Sequence, residues 1–474
     1  MSRSRAFAAA SLGARLIVGA SVAACAVALV GVAVFTPWRP VTTTPLTIDE
    51  RPAAADVTLA CAGGILVGGR TSADASVIDV AAAGETVAGA PAIAAGGAGP
   101  EVTTLITPDV RGELGALSYV EAPAGDTPAQ LAAATSSTAE ADDIRGLTAA
   151  GCTPPLSESW LVGGASTTGR SGFVQLSNPS AVAATVSLTA FTAAGASTAD
   201  GETGTIVVVP PGAQRVVPLA GLAPNADNPV VRVTAQGAPV AATLQSSWIR
   251  TITPSGVDVQ TPIALPSARQ VIPGVVVSGD PAGELPDAVT TVVRVLAPAA
   301  AGDALVTVTT GADAAALAPI SVPMEAGVPV DLELPRLPAG AYSITIEASV
   351  PVVAAARQAT QAGPGGDYAW HAAAPAIAVP SLVAVPGGGA PTLHLVSAGA
   401  PATVTVTPPS GRAIELMLAA GGTATLALPG TGVYAIDTGG TVVHASVSLV
   451  AEGLNAAYPV WSSEAVGDAV RVYP

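Results

Sequence analysis

The chain is predicted to be an all-β extracytoplasmic region, built as tandem immunoglobulin-like antiparallel β-sandwiches, that follows one N-terminal transmembrane helix. Three observations predict this class. An uncharged apolar run lies near the N-terminus, a two-residue alternation of apolar and small polar residues runs through most of the remainder, and a decapeptide recurs at an offset of 94 residues.

The N-terminal element is the run 16–35 (LIVGASVAACAVALVGVAVF), twenty residues without a charge. At about 1.5 Å per helical residue it matches the roughly 30 Å of a bilayer's hydrocarbon core. Arg3, Arg5 and Arg15 precede it, and Thr36, Pro37 and Trp38 close it. The positive-inside bias therefore places 1–15 in the cytoplasm, 16–35 across the membrane and the rest outside, with Trp38 at the level of an interfacial aromatic. Two alternatives stay open. Val22-Ala23-Ala24-Cys25 has the form of a lipidation box, although the apolar run continues ten residues beyond Cys25. Cleavage as a secretory signal is the other, against which the run exceeds the usual length of about 7–15 residues.

Composition agrees with export. All 18 basic residues are arginine, and three of them precede the run, so the part beyond carries 15 positive against 34 negative charges, a net −19. Nucleic acid is a poor partner for such a surface. Aromatic residues make up 3% of the chain, which leaves Val, Leu, Ile and Ala to build the cores.

Past a linker at 36–55, the segments 184–192 (ATVSLTAFT), 304–310 (ALVTVTT), 402–407 (ATVTVT) and 423–428 (TATLAL) alternate as half-buried strands do. Turn residues punctuate them every eight to twelve positions, the rhythm of antiparallel sandwiches. The repeat aligns 326–335 (AGVPVDLELP) on 420–429 (AGGTATLALP), and each copy is followed by a Gly-x-Tyr step, Gly340-Ala341-Tyr342 and Gly432-Val433-Tyr434. A weaker copy begins at Gly212, with Val217 and Leu219 in the apolar positions. Trp160, Trp248, Trp370 and Trp461 fall at separations of 88, 122 and 91 residues, close to the roughly 100 of a seven-stranded sandwich. Three sandwiches are expected, at 156–262, 263–372 and 373–474, after a divergent β unit at 56–155. One tryptophan per unit reads as a core or interface residue; a carbohydrate-binding platform is the alternative.

Cys61 and Cys152 are the two cysteines outside the membrane, an even pair in an oxidising compartment, and are expected to be bridged. Between them, 128–145 (PAQLAAATSSTAEADDIR) is rich in helix formers at its start and is expected to be the one extramembrane helix. Glu140-Ala141-Asp142-Asp143 lacks the calcium-loop pattern and reads as a solvated acidic turn.

No cofactor, metal or catalytic residue is expected. Gly169-Arg170-Ser171-Gly172 has the wrong spacing for a nucleophile elbow, and a phosphate-binding Walker loop needs the lysine this chain lacks. Gly387-Gly388-Gly389 reads as a connection between strands. His371, His394 and His444 are too scattered for a local metal motif and are expected at exposed strand edges, with Asp367, Asp437 or a serine as conceivable partners. Glu284 and Asp287 form a carboxylate pair of the kind a glycosidase uses, at the specificity of any acidic loop.

Arg145-Gly146-Leu147, Cys152, Pro155, Trp160, Gly163-Gly164, Gly169-Arg170, Leu176 and Asn178-Pro179 together resemble the motif of an uncharacterised actinobacterial family of membrane-anchored, secreted, strand-rich proteins. The resemblance extends over residues 1–474, its distinctive motif over about 35 of them. It implies an envelope location and no activity. Independently of it, Asn178-Pro179 reads as a turn, Gly163 and Gly164 as sites of close backbone approach, and Arg170 as a fork for a carboxylate within the domain or for a ligand carboxylate or phosphate. The expected protein is a non-enzymatic, single-pass cell-envelope scaffold or interaction module whose partner is an envelope protein or polysaccharide. A carbohydrate-binding module and an envelope hydrolase are the alternatives.

Overall fold

The computed structural model describes residues 17–32, 48–50, 55–69, 74, 76–91, 99–123, 127–196, 204–263, 265–278, 291–310, 315–361, 363–463 and 470–472. They belong to two compact units, Met1–Pro52 with Gly467–Pro474, and Ala53–Val466. The first contains a helix over 17–32 and an antiparallel ladder between Ile48–Glu50 and Val470–Val472. Among the described residues no helix is long and apolar enough to cross a membrane. The helix at 17–32 covers sixteen residues of the apolar run; Leu16, 33–35 and Trp38 lie outside the described residues. Its apolar side chains are exposed, with Ile17 at 69%, Val27 at 73% and Leu29 at 71%. An apolar surface left open all round a helix is unfavourable in water and favourable in hydrocarbon.

The second unit is strand-rich, and every described ladder but one is antiparallel; the exception joins Ile78–Ala82 to Val110–Arg111. Its central part has two sheets, one ordered Glu158–Val162, Val230–Gln236, Ala184–Thr192, the other Ala213–Pro218, Arg170–Asn178, Ala241–Arg250, Thr253–Gln260. Residues of both, including Leu161, Val186, Leu188 and Val233 from the first and Val174, Leu176 and Leu244 from the second, share one core. Alternation explains this directly: Ala184–Thr192 buries Ala184, Val186, Leu188 and Ala190 and turns the threonines and serine outward.

The next block is organised by the twenty-residue strand Gly340–Ala359. Its first half pairs with Ser267–Val277 and Gly302–Thr310, its second half with Thr291–Leu296 and Tyr368–Ala372. The C-terminal block again has two sheets, in the orders Ala376–Ile377, Val443–Ala451, Ala390–Ser397, Thr423–Ala427 and Ser381–Val385, Gly432–Asp437, Ala402–Thr407, Ile414–Leu418. The repeated Gly-x-Tyr step has one conformation in both copies. Gly340 and Gly432 take φ of 156° and 140°. The Tyr342 hydroxyl donates to the Pro338 carbonyl at 2.8 Å and the Tyr434 hydroxyl to the Gly430 carbonyl at 2.6 Å, each four residues back. These are tyrosine corners.

The blocks are fused rather than strung. Ala132, Ala134, Leu147 and Ala149 join the C-terminal core, Trp160, Val162 and Phe191 join the core around Gly340–Ala359, and Leu66 and Leu114 pack on Phe173 and Val216. Cys61 and Cys152 are bridged, with a sequence separation of 91.

The helix expected at 128–145 is absent. Ala132–Glu140 is a strand, paired on one edge with Glu85–Gly89 and on the other with Arg145–Gly151. Six consecutive residues from Ala132 are buried, so both faces are covered and alanine is favoured here for its small volume rather than its helix propensity. The acidic segment 141–143 is the bend that joins the two strands.

Candidate functional site

The polar side chains of the second unit converge where its blocks meet. Arg294 lies on Thr291–Leu296 directly across from Asp331, and its side chain is 3% exposed. Nε and Nη2 grip the Asp331 carboxylate at 2.8 and 3.0 Å, Nη1 donates to the carbonyls of Gly164 and Pro229 at 2.9 and 3.0 Å, and Nη2 also donates to the Asp227 carbonyl at 3.0 Å. All five donors of the guanidinium are thus used, three of them on a loop region of the neighbouring block. The glycine pair of the motif makes this approach feasible: Gly164 has φ +67°, and a Cβ on Gly163 would stand 2.5 Å from the Gln260 side-chain oxygen and 3.2 Å from the Trp370 ring.

Asp367 is the second junction. It is 1% exposed, and its carboxylate accepts backbone N–H groups of Leu147 at 3.0 Å, Asn455 at 3.2 Å and Val257 at 3.3 Å. Three separate strands thereby meet on one side chain. Gly146 and Gly256 leave it room, since a Cβ on either would lie within 2.8 Å of Oδ1. Burial pushes its carboxyl up to about 7, although the backbone donors act in the opposite direction. Nearby Asp258 is fully buried and accepts the Trp370 N–H at 2.8 Å through Oδ2, while Oδ1 has no partner. Burial pushes it up to about 8.

Above this layer stands a stack of arginine on tryptophan. Arg170 and Trp248 are cross-strand partners, and Arg250 is two residues along the same strand, hence on the same face. The Cζ atoms of Arg170 and Arg250 each lie 3.6 Å from the Trp248 ring centroid, and that of Arg357 lies 5.4 Å away. A Cβ on Gly169 would strike the Ile249 carbonyl oxygen at 2.4 Å, so the glycine preceding Arg170 is what lets the two strands close. Desolvation first, then the neighbouring arginines, lower all three guanidiniums, Arg357 to about 10.

His371 and His394 are 2% and 3% exposed, a correction to the exposed strand edges expected of them; burial pushes them down to about 3 and 4, so both rings are neutral. The residues around them are core strands, and alternation alone does not tell a half-buried position from a covered one. His394 Nε2 is 2.8 Å from the Ser448 hydroxyl, and His444 Nδ1 is 2.8 Å from the Ala374 carbonyl. Asp367 engages backbone donors instead of a histidine. Glu284 and Asp287 lie outside the described residues. Among the described residues no group of three or more His, Cys, Asp and Glu is placed to hold a metal ion. Trp160 and Trp370 are 2% exposed, in the core; Trp248 packs partly buried against that core, and Trp461 is half-buried with its Nε1 unpartnered. Asn178 forms the expected turn, its side chain donating to the carbonyls of Val182 and Val209 and accepting the Ser180 N–H. Arg294, Arg357 and Asp258 carry no local sequence signal, whereas Arg170, Asp367, the tryptophans and the motif glycines around the junction do stand out in the sequence.

A family model described as a family of unknown function (DUF5719) matches residues 109–429. No curated protein matches the sequence. Among solved structures, similarity is found to a biofilm-associated protein BSP domain, at 10% identity over 72% of this chain and 64% of that one, with a TM-score of 0.14. It is also found to a tetra-tandem repeat in the extending region of a large adhesion protein, at 12% identity over 87% and 92%, with a TM-score of 0.11. The chain thus spans less than two thirds of the first of these, and at such TM-scores neither overlay carries an argument.

Proposed function

Because the chain belongs to the family of unknown function DUF5719, which assigns no activity, we propose its role from its own geometry: a non-enzymatic cell-envelope scaffold or protein-interaction module. In this reading 16–35 is a single-pass anchor with the N-terminus cytoplasmic, and the exterior is an immunoglobulin-like sandwich array at 156–262, 263–372 and 373–474 behind the disulfide-closed unit 56–155. The residues at 145–179 that resemble an actinobacterial envelope family are taken in this reading as part of the same exterior. The observation that carries the reading is where the buried polar side chains are used. Arg294 and Asp367 fasten blocks to one another through three interblock hydrogen bonds each, as a spacer that must hold its shape requires. The Cys61–Cys152 bridge fits an oxidising compartment, and the exposed apolar helix at 17–32 fits a bilayer. A carbohydrate platform is less well supported, since such sites need exposed rings and the Trp248 π surface is already stacked with guanidinium.

Protease treatment of intact cells, followed by crosslinking and mass spectrometry, tests both parts. The expected result is a membrane-retained protein whose mature N-terminus precedes residue 16, digested only from outside and crosslinked to an envelope component. A chain that begins at lipidated Cys25, or that is released without its first 35 residues, overturns the helical anchor; turnover of an envelope polymer by the purified protein overturns the non-enzymatic reading.

A further inference from the structure

We propose that Arg170 and Arg357, grouped with Arg250 around Trp248, form a binding site for an oxyanion, a phosphate or a carboxylate. The case begins with charge. In an exterior of net −19, Arg111, Arg215, Arg232, Arg269 and Arg294 each have a carboxylate within 4 Å. Among the described residues Arg170 and Arg357 have none, although they stand close enough that the charge of Arg170 lowers the affinity of Arg357 for its proton. The Nε of Arg357 is buried with no hydrogen-bond partner. Like charges gathered with no carboxylate in direct contact with Arg170 or Arg357, in a chain with acids in excess, are an arrangement that an anion relieves.

Geometry says how it would bind. Stacking on Trp248 uses the flat faces of the guanidiniums at 3.6 Å, whereas guanidinium donors lie in the plane and point from the edges. The indole therefore orients the Arg170 fork and leaves its edge able to grip an oxygen pair, whereas Arg250 Nη1 is held by the Gly363 carbonyl at 3.0 Å. Arg170, Arg250 and Arg357 are each partly exposed, so the cluster borders water, while the Nε of Arg357 lies buried within it. The contrast with Arg294 is instructive: there all five donors are occupied by protein oxygens, and nothing remains for a ligand. The site is independent of membrane attachment and of the scaffold reading.

The test uses the full chain in detergent at constant ionic strength, titrated separately with inorganic phosphate, succinate and chloride, and read by tryptophan fluorescence and by the shift in melting temperature. Expected is a saturable response to phosphate, to succinate or to both, the two arms identifying the preferred oxyanion, with chloride inert. Arg170→Gln and Arg357→Gln weaken binding at least about tenfold, as loss of one charge-assisted pair does, while Arg412→Gln, at an exposed position far along the chain, leaves it unchanged. Arg357→Lys keeps the charge without the fork, and its weakened binding in a chain with unaltered far-ultraviolet circular dichroism separates ligand loss from misfolding. No saturable response, an equal response to chloride, or undiminished binding in folded Arg170→Gln and Arg357→Lys variants overturns the proposal.

Discussion

At the scale of single residues, Asp258 and Asp367 are the acids whose ionisation couples to folding near neutral pH. Both are raised by burial, to about 8 and about 7. An acid whose folded value lies above its unfolded value holds its proton longer when folded, so its contribution is complete below the unfolded value near 4 and is lost as pH rises through the folded value. His371 and His394, lowered by burial to about 3 and 4, act in the opposite sense below about 6.5. The carboxyls therefore dominate between about pH 6.5 and 8, where stability should fall by about 1.4 kcal/mol per pH unit for each titrating group. Asp258→Asn imitates the protonated carboxyl: the amide oxygen takes over accepting the Trp370 N–H, as Asp258 Oδ2 does. Urea unfolding across this range should show a shallower pH slope in the variant by about 1.4 kcal/mol per unit; parallel curves would remove Asp258 from the account.

Among elements, strands with one face in a core were legible and strands covered on both faces were not. Ala402–Thr407 alternates buried with less buried positions and reads from its sequence as it folds. Ala132–Glu140, buried at six successive positions, carries no two-residue period and reads as an alanine-rich helix. The repeat was legible as a pattern, but its mechanics became visible only with the tyrosine corners, because a hydroxyl reaching four residues back leaves no mark in hydropathy. Tyr342 and Tyr434 enter their strands beside glycines and tie the preceding connection to them. Tyr342→Phe and Tyr434→Phe remove one hydroxyl each and should cost about 0.5–1.5 kcal/mol apiece. Tyr119→Phe is the control, since Tyr119 makes no such bond among the described residues and should change stability by less than about 0.5 kcal/mol. Chemical denaturation of the three variants decides it, and equal losses in all three would mean that the corners contribute nothing specific.

For the whole molecule, the even pair of cysteines sufficed to identify the bridge, while the junction that welds the blocks was illegible because its members are far apart in sequence. Arg294 meets Gly164 across 130 residues, and Asp367 meets Leu147 across 220. Composition hides them further, since one buried arginine and two buried acids look like surface charges until burial is known. Their consequence is cooperativity. A chain of sandwiches joined by linkers would unfold block by block, but the unit Ala53–Val466 shares cores and clamps and should unfold in one transition. Arg294→Ala deletes the fork while leaving the Asp331 carboxylate and the carbonyls of Gly164, Asp227 and Pro229 without their donor, a loss of about 3–5 kcal/mol by the behaviour of broken buried pairs. Because that loss falls on the contact between blocks and not within any one of them, it should divide the transition in two, with amide exchange accelerating first around 164–170 and 227–232. Calorimetry joined to hydrogen exchange on the full chain in detergent measures both. If the variant still melts in one step, lowered by less than about 1 kcal/mol, the blocks are held together by their apolar contacts and Arg294 is not the clamp.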